Sequence, residues 1–308
     1  MTSPDLLLAG QVSQAERAAF MERFGERITD EPQDSIRYAA CWGPEPGLLA
    51  KLPGLEVVFS LGAGVDHLLR DPNLPDVPIV RFVDPDLTGR MVEYVVLQCL
   101  MHLRRQRDYD ESQQGKRWEQ RAMPTASEVT VGILGFGTLG QACGKALQPV
   151  GFAVRGLNRS KRDVAGFETF GSEGIADFLG GTDILVNLMP ATPHTEGLLN
   201  GDLIDGLRRN SPLGAPVLIN AGRGASQNED DIAHALKTGR LAGASLDVFR
   251  TEPLPETSPL WDAPGAVITP HVAAVTSPEA MARYVAGQLE RLKAGLILEN
   301  VVDRTVGY

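Results

Sequence analysis

Three segments in the second half of the 308-residue chain each join an apolar run to one reactive side chain. They are INAGRG (219–224) with Arg223, LDVFRTEP (246–253) with Glu252, and ITPH (268–271) with His271. Each apolar run reads as a strand, and ligands of open α/β sheets bind outside the carboxyl ends of the strands. A guanidinium, a carboxylate and an imidazole gathered there suit reduction of a 2-keto acid. Arg223 would pair with the substrate carboxylate and stabilise charge developing on the carbonyl oxygen. His271 would give the proton while hydride arrives from a nicotinamide. Glu252, close to the imidazole, would favour its charged form. Singly, each residue has an ordinary explanation: a structural salt bridge, an exposed loop acid before Pro253, a buried histidine. Only the matching positions of all three point to chemistry.

A second constellation precedes them. Residues 129–140 read VTVGILGFGTLG, an apolar strand running into Gly135-x-Gly137-x-x-Gly140 with a helical pattern after it. Gly135 would make the tight turn, Gly137 would let the backbone approach a pyrophosphate, and Gly140 would permit close helix–strand packing. The amides and dipole of the helix start then favour phosphate. A lone glycine pattern is weak, but here both the strand before and the helix after are present. The next strand ends in Asn158, Arg159, Ser160 and Lys161, where an acidic residue would select NAD. No carboxylate stands there to repel a 2′-phosphate, and the fork, hydroxyl and ammonium would welcome one. NADPH is therefore the expected cofactor, with NADH weaker. The expected cofactor surface comprises Gly135, Gly137, Thr138, Leu139, Gly140 and the 158–161 turn, with Leu188, Met189, Pro190, Ala221 and Gly222 at later strand ends.

The other histidines invite no chemistry. His67 and His102 fall in helical patterns, His194 in a polar loop and His234 on an exposed helix face. None has metal-ligand spacing, so no metal site is expected. Cys41, Cys99 and Cys143 are widely spaced and form no CxxC pair, which suits buried reduced thiols. The segment SLGAGVDH (60–67) runs from a strand end into a glycine loop; its amides could nest a carboxylate, or it could be a plain β–α turn.

The elements that must position these residues alternate along the chain. Strands are expected at 6–9, 36–42, 55–60 and 78–82, and a helix over 13–24 with Ser13 as N-cap. A helix over 88–107 is apolar on several faces, as an element packed on more than one side would be. After a polar stretch at 108–127, strands are expected at 129–134, 152–157, 183–188, 217–220, 244–248 and 267–269. Helices include 229–238, with Asn228 as N-cap and Gly239 as stop, and 277–294. Such alternation implies parallel pairing through right-handed crossovers, hence an α/β fold with doubly wound sheets. The net charge of −10 argues against nucleic acid and anionic membranes as general partners. No run approaches the roughly 20 apolar residues of a membrane span, and the start lacks a signal-peptide pattern, so a cytoplasmic protein is expected.

Together these segments resemble the D-isomer-specific 2-hydroxyacid dehydrogenase family, most closely its bacterial glyoxylate/hydroxypyruvate reductase A group. The similarity rests on LGAGVDHLL, the long EYVVLQCLMHLRRQRDY helix, VGILGFGTLG, NAGRG, LDVFRTEPLP, SPLW, TPHVAAVT and the closing VDRTVGY. It implies that Arg223 orients substrate, that Glu252 partners the histidine and that His271 donates the proton. It implies that Ala63 and Gly64 offer amides to the substrate carboxylate, that Asp247 lies near the nicotinamide carboxamide, and that Trp42 lies near the substrate mouth. Trp42 could equally be a core or interface residue. The family's NAD-preferring members carry aspartate where Asn158 stands. The implied architecture is a discontinuous flavodoxin-like substrate domain (1–95 and 276–308) with an inserted Rossmann cofactor domain (96–275) and the active site in the cleft between them. A homodimer through the cofactor domain, using the helix over 91–103, is implied as well, and no further C-terminal regulatory domain. The alternatives are an NAD-linked dehydrogenase of another D-2-hydroxy acid and a non-catalytic, dinucleotide-sensing corepressor-like protein.

Overall fold

Four-residue runs such as ILVN (184–187) and VLIN (217–220) are buried along their whole length, as strands covered on both faces must be. In the computed structural model, which describes residues 3–305 and 307, such runs build two parallel sheets. The chain divides into two compact units, Met1–Leu87 with Thr276–Tyr308, and Thr88–Val275. Of the closing VDRTVGY segment, Val306 and Tyr308 lie outside the described residues.

In chain order the first unit contributes β1 (Leu6–Gly10), α1 (Gln14–Phe24), β2 (Ile28–Thr29), β3 (Tyr38–Trp42), β4 (Val57–Ser60), α2 (Asp66–Leu69) and β5 (Ile79–Val80). The helix α3 (Pro85–Leu103) crosses the division. The second unit continues with α4 (Gln106–Gln114), β6 (Thr130–Leu134), α5 (Thr138–Val150), β7 (Ala153–Leu157), β8 (Glu168–Phe170), α6 (Ile175–Gly180) and β9 (Ile184–Asn187). It ends with α7 (Gly201–Gly206), β10 (Val217–Asn220), α8 (Glu229–Lys237), β11 (Gly243–Leu246) and β12 (Ala266–Ile268). The helix α9 (Pro278–Lys293) returns to the first unit.

The first sheet has the order β2-β1-β3-β4-β5, and all its pairings are parallel. This is the flavodoxin-like order, which reverses direction between β1 and β3. In this unit α9 packs on α1. Ser13 caps α1 in a full capping box with Glu16. Such a cap is worth about 1 kcal/mol, against about 1.5–3 kcal/mol for each fully buried large apolar side chain. The cap therefore sets where α1 starts, while burial of Phe20 and Phe24 makes it dock.

The second sheet runs β12-β11-β10-β9-β6-β7-β8, again all parallel. That is the Rossmann order with a seventh strand, and its switch point lies between β6 and β9. Alternate residues of the central strands feed separate cores on the two faces. Leu185 and Leu218 join Ile232 and Leu236 of α8 on one face. Ile184, Val186 and Ile219 join Val95 and Cys99 of α3 and Cys143 and Leu147 of α5 on the other. The expected pair of doubly wound parallel sheets is present.

Three details differ from the sequence reading. The helix expected over 88–107 begins at Pro85, ends at Leu103 and is followed by a left-handed Arg105, φ 54°. The polar stretch from 108, to which the sequence reading assigned no element, then opens inside α4, a polar helix tied together by Arg105–Asp108 and Gln106–Asp110 pairs. Periodicity misses it because it has almost no apolar face: among its described residues only Ser112 is buried. The edge strands β2 and β8, two and three residues long, are also absent from the reading; runs so short carry no period.

Candidate active site

Every candidate residue of the second unit stands at or just beyond the carboxyl end of a strand, since parallel pairing puts all those ends on one edge. The glycine loop follows β6. Gly135 adopts a left-handed φ of 84°, and a Cβ there would lie 3.0 Å from the backbone of Leu188 and Met189. Gly140 presses α5 onto the turn, where a side chain would strike the Gly135 carbonyl. At Gly137, by contrast, a Cβ would meet nothing within 4 Å, and this residue caps α5 without any side-chain hydrogen bond. The loop is thus tight where it turns and open where a pyrophosphate would rest on helix amides.

At the end of β7, Asn158 Nδ2 donates to the Phe136 carbonyl over 3.3 Å and the Asn158 amide to Phe170. The asparagine thereby ties its turn to the glycine loop. Arg159, Ser160 and Lys161 beside it are exposed. Thr138 is exposed and Leu139 half-buried at the start of α5; Leu188, Met189 and Pro190 follow β9, and Ala221 and Gly222 follow β10. Gly-shaped space, an uncapped helix start and a turn of cations with no acid among them together fit a phosphorylated dinucleotide.

Arg223, Glu252 and His271 lie together on this edge. His271 Nδ1 is 2.8 Å from Glu252 Oε2. An ionised carboxylate only accepts, so Nδ1 carries the hydrogen and Nε2 is left for proton transfer. The other oxygen, Oε1, accepts from the Phe249 amide at 2.9 Å, which fixes the carboxylate plane. Burial works against ionisation of Glu252, but the His271 hydrogen bond, the Phe249 amide and the charges of His271 and Arg223 outweigh it. Its carboxyl is held below the ordinary carboxylate range. The Arg223 guanidinium is close enough to contribute to that field, and its Nη1 donates to the Gly222 carbonyl over 2.8 Å.

His271 has a left-handed backbone, φ 55°, which costs a non-glycine residue strain that the surroundings must hold. Asp247, 1% exposed, does so. Its carbonyl accepts the His271 amide at 2.8 Å. Its carboxylate accepts from Thr269 Oγ1 (2.6 Å) and from the amides of Val272 and Ala273 (2.9 Å each). Tyr94 completes the chain, its hydroxyl 2.9 Å from Thr269 Oγ1. Both Asp247 oxygens thus belong to the loop that carries His271.

In the first unit Trp42 ends β3, and its ring lies 4.5 Å from that of His67. A side chain on Gly62 would collide with the indole, so that glycine makes room for it. His67 Nδ1 accepts the Gly43 amide at 3.1 Å, so Nε2 carries the hydrogen that faces Ser60 Oγ at 3.1 Å. Ser60 Oγ in turn lies 2.8 Å from the Gly64 carbonyl. Ala63 and Gly64 are therefore on a loop fixed by Ser60 and His67, two residues that sequence reasoning passed over. The spacing Ser60–His67 across the glycines was the available signal.

A cavity of about 780 Å³ in the second unit lies elsewhere. Asp202, Glu229, Asp230 and Asp231 line it against one cation, Arg250, so its net sign is wrong for a keto acid or a pyrophosphate.

Residues 96–273 match the family described as D-isomer specific 2-hydroxyacid dehydrogenase, NAD binding domain. The chain belongs to that dehydrogenase family. It is 40% identical over 286 residues to the glyoxylate/hydroxypyruvate reductase A of Serratia proteamaculans, covering 91% of this chain and 89% of that one. Among solved structures, it matches the NADPH-dependent glyoxylate/hydroxypyruvate reductase of Sinorhizobium meliloti, bound to NADP and sulfate, at 46% identity and a TM-score of 0.95 over 100% of both chains. A probable 2-hydroxyacid dehydrogenase from Rhizobium etli, in complex with NADP, HEPES and L(+)-tartaric acid, matches at 44% identity and 0.95, again over 100% of both. No helix of the described residues is long and apolar enough to cross a membrane.

Proposed function

We propose that this member of the family is an NADPH-dependent reductase of small 2-keto acids, taking glyoxylate to glycolate and hydroxypyruvate to D-glycerate. The observation that carries the reading is the His271–Glu252 pair, whose geometry leaves Nε2 to serve a substrate, within the field of Arg223. Relatives named for this activity, and neighbours solved with NADP, support it.

In this reading Gly135, Gly137, Thr138, Leu139, Gly140, Leu188, Met189, Pro190, Ala221 and Gly222 hold the dinucleotide. The exposed Arg159, Ser160 and Lys161 meet its 2′-phosphate, with Asn158 replacing the acid that would repel it. When bound, NADPH supplies the hydride. Arg223 pairs with the substrate carboxylate and faces the carbonyl oxygen as negative charge builds on it. His271 passes the proton on Nε2 to that oxygen and ends neutral, while Glu252 keeps the ring oriented through Nδ1. The carbonyl carbon thereby gains a hydride and its oxygen a proton, giving the hydroxyl. Asp247 serves beside the nicotinamide by holding the His271 loop. Trp42, Ala63 and Gly64 belong to the substrate-binding set, with the loop amides as carboxylate donors.

The discontinuous unit takes the substrate role and the second unit the cofactor role. The protein acts in the cytoplasm, in keeping with three buried free cysteines, and as a homodimer through α3, where Leu97 is 53% exposed. Its acidity disfavours nucleic acid as a partner.

Steady-state reduction of glyoxylate and hydroxypyruvate, with NADPH and NADH side by side, tests the reading. Turnover carried mainly by NADPH supports it. Measurable NADPH binding without turnover of either acid points to another keto acid or to a sensor. Arg159→Ala should weaken NADPH about tenfold or more, as loss of a charge-assisted phosphate contact does, and leave NADH nearly unchanged. Equal losses for both cofactors would remove the 158–161 turn from the account of specificity.

A further inference from the structure

The two central strands β9 and β10 both end in asparagine, and register places Asn187 opposite Asn220. Both are 0% exposed. Carboxamides without solvent must find every partner inside the protein, and these do. Asn187 Nδ2 donates to Asn220 Oδ1 at 2.8 Å and to Ser226 Oγ at 2.9 Å, while its Oδ1 accepts the Met189 amide at 3.2 Å. Asn220 Nδ2 donates to Gln227 Oε1 at 2.8 Å and to the Arg223 carbonyl at 3.3 Å. Ser226 Oγ donates to the same carbonyl at 2.6 Å. Gln227 Nε2 reaches the Val248 carbonyl at 2.9 Å.

These bonds converge on the backbone of Arg223. The glycines around it bring the loop against its neighbours: a Cβ on Gly222 would lie 2.9 Å from Asn187 Nδ2 and from the Met189 carbonyl, and one on Gly224 would strike the Phe249 carbonyl. The arginine loop is clamped between residues 187–189 and residues 248–249. Asn187 is the member that joins the 188–190 segment to the arginine loop, holding Met189 with its oxygen and the Asn220–Ser226 pair with its nitrogen.

We propose that Asn187 is a positioning residue for Arg223, setting the arginine loop at a fixed distance from the 188–190 segment. This rests on the reading that Arg223 meets the keto acid. A satisfied network of fully buried carboxamides favours one arrangement, so the guanidinium inherits one origin. A shift of about 1 Å at a reacting group can cost about a hundredfold in rate. Asn187 is 0% exposed, so it acts through the arginine loop and not on the substrate.

The test is a double-mutant cycle in the full-length protein, read by kcat/KM for glyoxylate, NADPH Kd and Tm. Asn187→Ala should lower kcat/KM by about 10- to 100-fold, with NADPH Kd changed far less. In an Arg223→Ala background the same substitution should cost less than about threefold, because its effect runs through the missing guanidinium. Equal losses in the two backgrounds, or a lowered Tm with unchanged kcat/KM, would overturn the proposal. If Asn187→Ala does not fold, Ser226→Ala removes one donor to the Arg223 carbonyl and runs the same cycle with a smaller loss. An inactive wild type overturns the functional reading and this inference with it. An active wild type with additive losses overturns the positioning role alone.

Discussion

Two histidines reach the same stretch of chain around β11, two residues apart, and do opposite things there. His102 of α3 places Nε2 2.8 Å from Ser245 Oγ, and that hydroxyl donates to Gln98 Oε1 at 2.7 Å. The serine hydrogen is committed to Gln98, so His102 Nε2 carries a hydrogen and donates it. Burial pushes its pKa down to about 4. His271 hangs on Asp247 by its backbone and meets a carboxylate with its ring, 42% exposed. Burial keeps the His102 imidazole uncharged, whereas a carboxylate partner at an exposed strand edge fixes which nitrogen of His271 carries the hydrogen. What a histidine does is decided by its partner and its access to solvent, not by the strand it leans on.

The comparison breaks most visibly at His271. His271→Ala should lower kcat by about 10²- to 10⁴-fold, the usual worth of a general acid, with NADPH affinity nearly intact. Unchanged turnover would return His271 to the same structural class as His102. Glu252→Gln should come next, lowering kcat/KM at pH 7 by about 10- to 100-fold, in line with loss of a charge-assisted hydrogen bond. Because the folded Glu252 ionises below its ordinary range, its bond to His271 is fully present above about pH 4.3 and is lost only as pH falls through the depressed value. An equally active glutamine variant would show that orientation, not charge, is the carboxylate's contribution.

At His102 the expected effect is on stability rather than rate. Its pKa is depressed in the folded chain, so between about pH 6.5 and the folded value of about 4 the unfolded chain binds more protons. Stability should therefore fall as pH falls through that window, by about 1–2 kcal/mol at pH 5 once the ring's partial exposure is allowed for. Urea unfolding at pH 7 and pH 5 reads this directly. His102→Gln should flatten the difference and leave turnover at pH 7 little changed. A variant with the wild-type slope would mean that another group titrates.

Much of this was legible in the residues. Strand–helix alternation gave the two doubly wound sheets, because buried parallel strands are near-continuous apolar runs whose length and spacing survive in any context. The glycines of 135–140 and the ends of β10, β11 and β12 were readable because a backbone turn or a strand end constrains residue type locally. Helix α4 was not, since polar pairing rather than an apolar face holds it. Neither were Asn187 and Gln227, nor Ser60 and His67, whose work consists of contacts between distant segments.

The sequence by itself determined which reactive side chains end up at strand ends and which strand ends carry glycine or cations, because those depend on local geometry. Only the tertiary structure decided which imidazole meets a carboxylate, that Asp247 gives both oxygens to the His271 loop, and that buried carboxamides seat Arg223. Hydrogen-bond partners such as these, from 19 residues apart for His271–Glu252 to 39 for Asn187–Ser226, are chosen by packing, and no local pattern encodes them.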